Sequence, residues 1–411
     1  MPALTLDSLQ VLNASSPLDD RQEAFAEFER LPSPSPADES WRYVDREIDL
    51  EQFSLVTEPG SDLGDDAVLA NLETSQRLVM LDGKEVTVDG DGYASESLKV
   101  LDMVPAGTDK LAAAHRAFVG TGIRVAVPSG RHTKGPILVD LQTTVPNTIS
   151  FPHVTIEVGE DAEAEVIVAY RSAEGVKAIS VPQVEIDVAQ SGRLRLLSLP
   201  EMSVDCVNVV QQRARLDRDA TLRFGEVGLG GDLARLDLGI DLDGQGSSAR
   251  IVGLFFGFRE QILDYRMVLN HRGPKSTSQV LLKGAVEDSA QSIFSGLVRI
   301  EKPAIGASAF ETNRNLVLSP DAKANSIPNL EILCDDVICG HGSSVGPLEE
   351  DHLYYLGSRG ISPGRAERLL VRGFFREVLD QLPVSGMEQA LAEILERRFM
   401  RGQQRALRED A

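Results

Sequence analysis

"VTIEVGEDAEAEVIVAY", Val154–Tyr170, alternates apolar and polar residues on both sides of a short acidic corner. Val154, Ile156 and Val158 share one face of an extended chain, and Ala164, Val166 and Val168 repeat the pattern after the corner. A period of two is that of a strand with one face buried, and the small or turn-forming residues between the two runs read as a bend. The same texture extends in both directions, through "IRVAVP" (123–128), "GPILVDL" (135–141), "VEIDVA" (184–189) and "RLRLLSL" (193–199). No helical period interrupts it for roughly 200 residues, which excludes folds built from alternating strands and helices.

Aligning the corners exposes a weak repeat. "EDAEAEV", "QSGRLRL", "RDATLRF" and "QGSSARI" begin at residues 160, 190, 218 and 245, and "EDSAQSI", "AIGASAF" and "PDAKANS" continue the theme from 287, 304 and 320. A period in this range points to a solenoid or a propeller. Each unit is a small-residue corner followed by a strand, with no blade signature, so a β-helix is preferred; a β-sandwich stays open. Composition agrees, because a β-helix stacks aliphatic side chains in ladders and the chain is 42% hydrophobic but only 5% aromatic.

The 411 residues carry a formal charge of −22, which argues against nucleic acid or an anionic membrane surface as partner. That acidity lies before Pro347; beyond it the chain has ten arginines and no lysine. The start "MPALTLDSLQ" has neither the basic nor the apolar region of a signal peptide, and no apolar run approaches the roughly 18 residues of a membrane span. Three cysteines, Cys206, Cys334 and Cys339, do not make a disulfide framework. These features together read as a cytoplasmic protein.

Three regions are expected: a helical and mixed N-terminal domain over 1–116, a β-helix over 117–346, and a C-terminal helical domain over 347–411. In the first, "PLDDRQEAFAEFERLP" predicts a helix from Asp19 to before Pro32, short strands are read around "RLVMLDG" and "KEVTVDG", and Trp41 is expected to anchor the extended "DESWRYVD" segment on another domain. In the last, Ser362 and Pro363 open a helix predicted to run to Leu382. "GMEQALAEILERRFMRGQ" spaces Met387, Leu391, Ile394 or Leu395, and Phe399 along one apolar stripe. With that domain separate, the β-helix is expected to stay folded when the chain is cut after Pro347.

Chemistry concentrates in "CDDVICGHGSSVG", 334–346. Cys339 and His341 are two apart, so on a strand both point to one face, and thiolate with imidazole suits zinc or iron better than magnesium or calcium. Two ligands do not complete a tetrahedral site. A histidine satisfied beside a buried thiol is the plain alternative, and a second chain supplying further ligands is another. Cys334 and Cys206 read as packing residues. "GLGGDLARLDLG" lacks the order of a phosphate loop and is treated as loop and corner.

The ordered pieces "NRNLVLS", "DDVICGHG", "VGPLEE", "YYLGSRGIS" and "LLVRGFFREVLD" resemble the SufD family of iron–sulfur cluster assembly proteins. The similarity extends upstream through "HRGPKSTSQVLLKGAVEDSAQSIFSG" (271–296) to "DESWRYVD" (38–45) and so covers the whole chain. Membership would imply a mainly β protein, a right-handed parallel β-helix with helical ends, acting as a non-enzymatic scaffold subunit. Its implied partners are a SufB-like paralogue, paired through the β-helix, and the SufC-like ABC-type ATPase, docked on the C-terminal helices. An iron–sulfur cluster would be transient and shared with SufB, with none held by the isolated chain. His341 falls on the family's cluster-assembly histidine at that interface and Cys339 on the adjacent motif cysteine. A half-site on a turn at the end of the β-helix follows as an expectation.

The ATPase surface is expected on Arg365, Arg368, Arg372 and Arg376, which recur at helical spacing beside Leu369, Leu370, Phe374 and Phe375. Alone, the chain is expected to form a two-fold homodimer through its open strand edges. The rival from another class is a metal-dependent β-helix or cupin-like enzyme that uses Cys339 and His341 itself.

Overall fold

The computed structural model describes all residues except 1–2, 12–13, 15, 65–68, 388 and 397–411. Two sheets run the length of a β-solenoid of about eight turns, and the chain alternates between them. One sheet takes, in order, Ile123–Val127, His153–Val158, Gln183–Val188, Val207–Leu216, Leu233–Leu242, Ile262–His271, Gln291–Ile300 and Lys323–Ile332. The other takes Gln76–Leu81, Ile137–Thr143, Glu163–Ser172, Arg193–Glu201, Thr221–Gly228, Ser248–Gly257, Thr277–Val286, Ser308–Val317 and Ile338–Gly346. Neighbours in both are parallel; among the described residues, antiparallel pairs occur only at the N-terminal end, where Glu85–Asp89 joins Gln76–Leu81 and Ala94–Glu96 joins Ile123–Val127. Strands of both sheets therefore begin before residue 117, and no helix occurs between residues 119 and 349.

Five of the seven aligned corners lie at the bend into the second sheet, whereas "EDSAQSI" and "PDAKANS" lead into Gln291–Ile300 and Lys323–Ile332 of the first; the bend into the second sheet has a backbone cause. Asp161, Ser191, Asp219, Gly246, Lys275 and Gly306 each adopt a left-handed conformation at the bend leading into the second sheet. Their amides donate across to the next coil, from Asp161 to the Gln190 carbonyl, Ser191 to Arg218, Asp219 to Gln245, Gly246 to Pro274, Lys275 to Ile305, and Gly306 to Asp336. A positive φ is easiest for glycine and for short polar side chains, which explains the composition of these corners. The bends thus continue the hydrogen-bond ladder rather than interrupting it. "GLGGDLARLDLG" is only partly loop: from Leu233 onward it is a strand of the first sheet.

Inside the solenoid, aliphatic residues stack rung on rung. Cys206 belongs to this core, as its alternation predicts. Glu226 is an exception, held fully buried between Ser198 and Gly253 on the neighbouring strands. Burial raises its carboxyl from 4.5 to about 8. The folded state then keeps a proton that the unfolded chain has lost, so stability falls as pH rises from about 4.5 to about 8 and is flat above. Glu226→Gln removes that share of the decline, and its expected gain over wild type is on the order of a few kcal/mol at pH 8.5 and near zero at pH 4. Urea unfolding at the two pH values checks this; an equal difference at both would refute it.

Helices cover the outer faces. α1 (Leu6–Val11), α2 (Leu18–Arg30) and α3 (Lys110–Phe118) join Trp41 in one apolar cluster with Ile149, Ile179, Val209, Leu233, Ile262 and Ile293 of the first sheet. Trp41 anchors its segment as expected, lying 4.0 Å from the Arg235 guanidinium, which in turn pairs with buried Asp264. α4 (Glu350–Ser358) leads into α5 (Pro363–Leu379) and a further helical stretch at 389–396; α5 and that stretch pack on the second sheet, whereas α4 buries no residue. α5 ends at Leu379, three residues before the expected Leu382, because Pro383 disfavours helical backbone at its predecessor. Met387, Leu391, Ile394 and Leu395 are buried as their spacing predicts; Phe399 lies outside the described residues.

Candidate functional site

Cys339 and His341 lie on Ile338–Gly346, the last strand of the second sheet, and not on a turn as the sequence suggests. Its other edge has no partner strand among the described residues. Register shows which way the strand faces. His341 is the last member of a column Leu196, Phe224, Ile251, Val280, Glu311, His341, and Cys339 ends the column Ala249, Ser278, Ala309, Cys339. Because Leu196, Phe224, Ile251, Val280 and Ala309 belong to the interior, both site residues occupy inward-facing positions. His341 is exposed because no further coil covers it, whereas Cys339 is half-buried against the core together with Cys334.

Below the last strand the inner face changes character. Glu311, Asn313 and Asn315 on Ser308–Val317 all point inward, at 2%, 0% and 4% exposure. Asn315 Nδ2 donates to Asn313 Oδ1 at 2.6 Å, and Ser326 Oγ donates to the same oxygen at 2.7 Å. Glu311 Oε1, Asn313 Nδ2 and Asn315 Oδ1 have no hydrogen-bond partner among the described residues. Burial alone raises the Glu311 carboxyl to about 7. Opposite stands Gly296, where a Cβ would come within 2.3 Å of both carboxylate oxygens. Among the described residues, no three His, Cys, Asp or Glu side chains converge to hold a metal by themselves. Cys339 and His341 share the inward face of the last strand at the open end of the solenoid.

The sequence reading missed the Glu311 group, although a signal was present. Placing "SAFETNRNLV" on the preceding repeat "TSQVLLKGAV" puts Glu311 where Val280 stands, a carboxylate in an aliphatic column.

The predicted docking residues divide by burial. On α5, Arg365, Leu369, Arg372 and Arg376 are exposed and Arg368 is partly so. Phe375 is not a surface residue: with Val371, Val378 and Leu379 it packs on Val252, Leu254 and Phe256 of the second sheet and anchors the helix. Half-buried Phe374 lies against Lys283, whose ammonium also donates to the Phe374 carbonyl at 2.8 Å and pairs with Glu377 at 2.6 Å. Arg365, Arg368, Leu369 and Arg372 line a groove with Phe256 and Leu395.

Comparison with known proteins places the chain among relatives of one kind. The family model described as "SUF system FeS cluster assembly, SufBD core domain" matches residues 141–374. An iron-sulfur cluster assembly SufBD family protein of Mycobacterium leprae is 31% identical over 410 residues, covering 96% of this chain and 97% of that protein. The iron-sulfur cluster assembly protein SufD of Escherichia coli is 27% identical over 390 residues, covering 92% of each. SufD of Bacillus subtilis is 30% identical over 300 residues, covering 72% of this chain and 68% of that protein.

Proposed function

The chain belongs to the SufBD family of iron–sulfur cluster assembly proteins, and from that premise we propose that it is the SufD-type, non-ATPase subunit of a cluster-building scaffold. One observation carries the reading: the solenoid ends in uncovered strands that hold His341 and Cys339 on their inward face. Ile338 is 68% exposed there, and Phe310, Ile332, Leu333 and Val345 are exposed around it. An apolar rim with unpaired backbone groups suits a partner strand edge, and a SufB-like paralogue would cover it. Its coil would bring the remaining ligands to a transient cluster, which is cargo and not a resident group. α5 presents the arginine face to a SufC-like ATPase on the opposite side of the second sheet.

Co-expression with SufB-like and SufC-like proteins is expected to yield a stable complex carrying iron and sulfide. A chain that purifies alone under those conditions refutes the proposal. Without its paralogue the same edge should pair with itself, so light scattering at micromolar concentration is expected to report about twice 44.6 kDa. The monomer mass would count against edge pairing.

A further inference from the structure

We propose that the Glu311 carboxylate, one rung beneath His341 at the open end of the solenoid, is an inner ligand for a divalent transition metal ion, the ferrous iron of the assembly reaction. This rests on the reading of His341 given above and adds a residue and a location to it.

The column through Leu196, Phe224, Ile251 and Val280 is apolar for four rungs and becomes Glu311 and His341 only in the last two. Glu226 shows that the interior holds a buried carboxylate elsewhere; Glu311 differs from it in standing one rung beneath an exposed imidazole at the open end. Here the interior takes up a carboxylate with no counter-charge among the described residues, a costly arrangement unless a proton or a cation compensates it. Beside it, the column Ser198, Glu226, Gly253, Leu282, Asn313, Ser343 is polar in the last two coils and also earlier at Glu226, and Gly284 is followed by Asn315. Three unpartnered polar atoms, Glu311 Oε1, Asn313 Nδ2 and Asn315 Oδ1, therefore fall within one stretch of five residues, all deeply buried.

Gly296 leaves the carboxylate its space from the other sheet. The Glu311 carboxylate and the His341 imidazole would give two donors from this chain, the partner's coil supplying the rest, and an oxygen–imidazole pair suits a first-row transition metal better than calcium or magnesium. Entry is from the open end, the face that a paralogue closes.

Cobalt(II) is the probe, titrated into the complex co-purified with its SufB-like partner and followed by its visible absorption. His341→Ala identifies the His341-dependent cobalt. Glu311→Gln and Glu311→Met are then compared with wild type. Gln keeps the shape without the charge, and Met continues the aliphatic column at similar volume, so both are expected to fold with a melting temperature equal to or above wild type. Each is expected to bind the His341-dependent cobalt at least about tenfold more weakly. Wild-type affinity in either folded Glu311 variant, with loss in His341→Ala, overturns the role of Glu311 and leaves that of His341. Unchanged cobalt in His341→Ala overturns both. If neither Glu311 variant folds, Glu311 is a structural residue and the proposal falls.

Discussion

Replacing His341 by alanine is expected to leave the isolated chain's melting temperature unchanged while the co-purified complex loses most of its iron and sulfide. The stability arm follows from placement. His341 is exposed on an uncovered strand, and loss of an exposed side chain usually changes stability by less than about 0.5 kcal/mol. The functional arm follows from orientation, because register turns the imidazole toward the interior that a partner coil would close. Losing one ligand of a partner-completed site should lower cluster content at least about tenfold. Cys339→Ser is expected to act in the same direction and no more strongly, with a small stability cost because Cys339 is half-buried against the core. Iron and sulfide assays on the purified complexes, beside thermal unfolding of the isolated variants, check both arms. Normal cluster content, or an unfolded His341→Ala chain, would return the residue to a structural role.

Reversing two charges on α5, Arg365→Glu with Arg372→Glu, is expected to weaken ATPase binding at least about tenfold, or roughly 1.4 kcal/mol, at unchanged stability. Both side chains are exposed and flank the groove that contains Leu369. Phe375→Ala is the contrast. It empties a fully buried position against Leu254 and Phe256, so about 3–5 kcal/mol of destabilisation is expected, with ATPase binding lost as a consequence of a displaced helix. Pull-down with the ATPase and urea unfolding separate the two cases. Full binding by the double variant would remove the arginine face from the interface. The same packing corrects the expectation that the β-helix survives deletion after Pro347. Cutting there uncovers Leu197, Leu199, Val227, Val252, Leu254, Phe256 and Ala285 together, so the solenoid is expected to lose stability or to aggregate.

Two local signals in the sequence favoured the solenoid over the β-sandwich that stayed open, and the stacking of coils settled it. Period-two alternation sets which side chains face inward, and at five of the six bends a short polar or glycine residue eases the left-handed backbone that passes the hydrogen bond to the next coil, Lys275 being the exception. The helix from Leu18 to Arg30 and the opening of α5 at Pro363 were legible because helical periodicity and a proline in the first turn act within a few residues of themselves; that Trp41 anchors its segment was legible from its size, but its partner Arg235 was not. The pair Cys339 and His341 was legible as a pair, since residues two apart on a strand share a face whatever lies around them. Tertiary structure alone decided what that face meets. Glu311 is thirty positions earlier in the chain and one rung away in the sheet, Gly296 approaches from the other sheet, and whether His341 is covered depends on there being no further coil. Likewise, spacing placed Phe375 beside the arginines of α5, but only the packing of that helix on Leu254 and Phe256 showed which residue is anchor and which is surface. Local rules fix the direction of a side chain relative to its own backbone; its partner is fixed by coil stacking, a contact between residues a whole repeat apart.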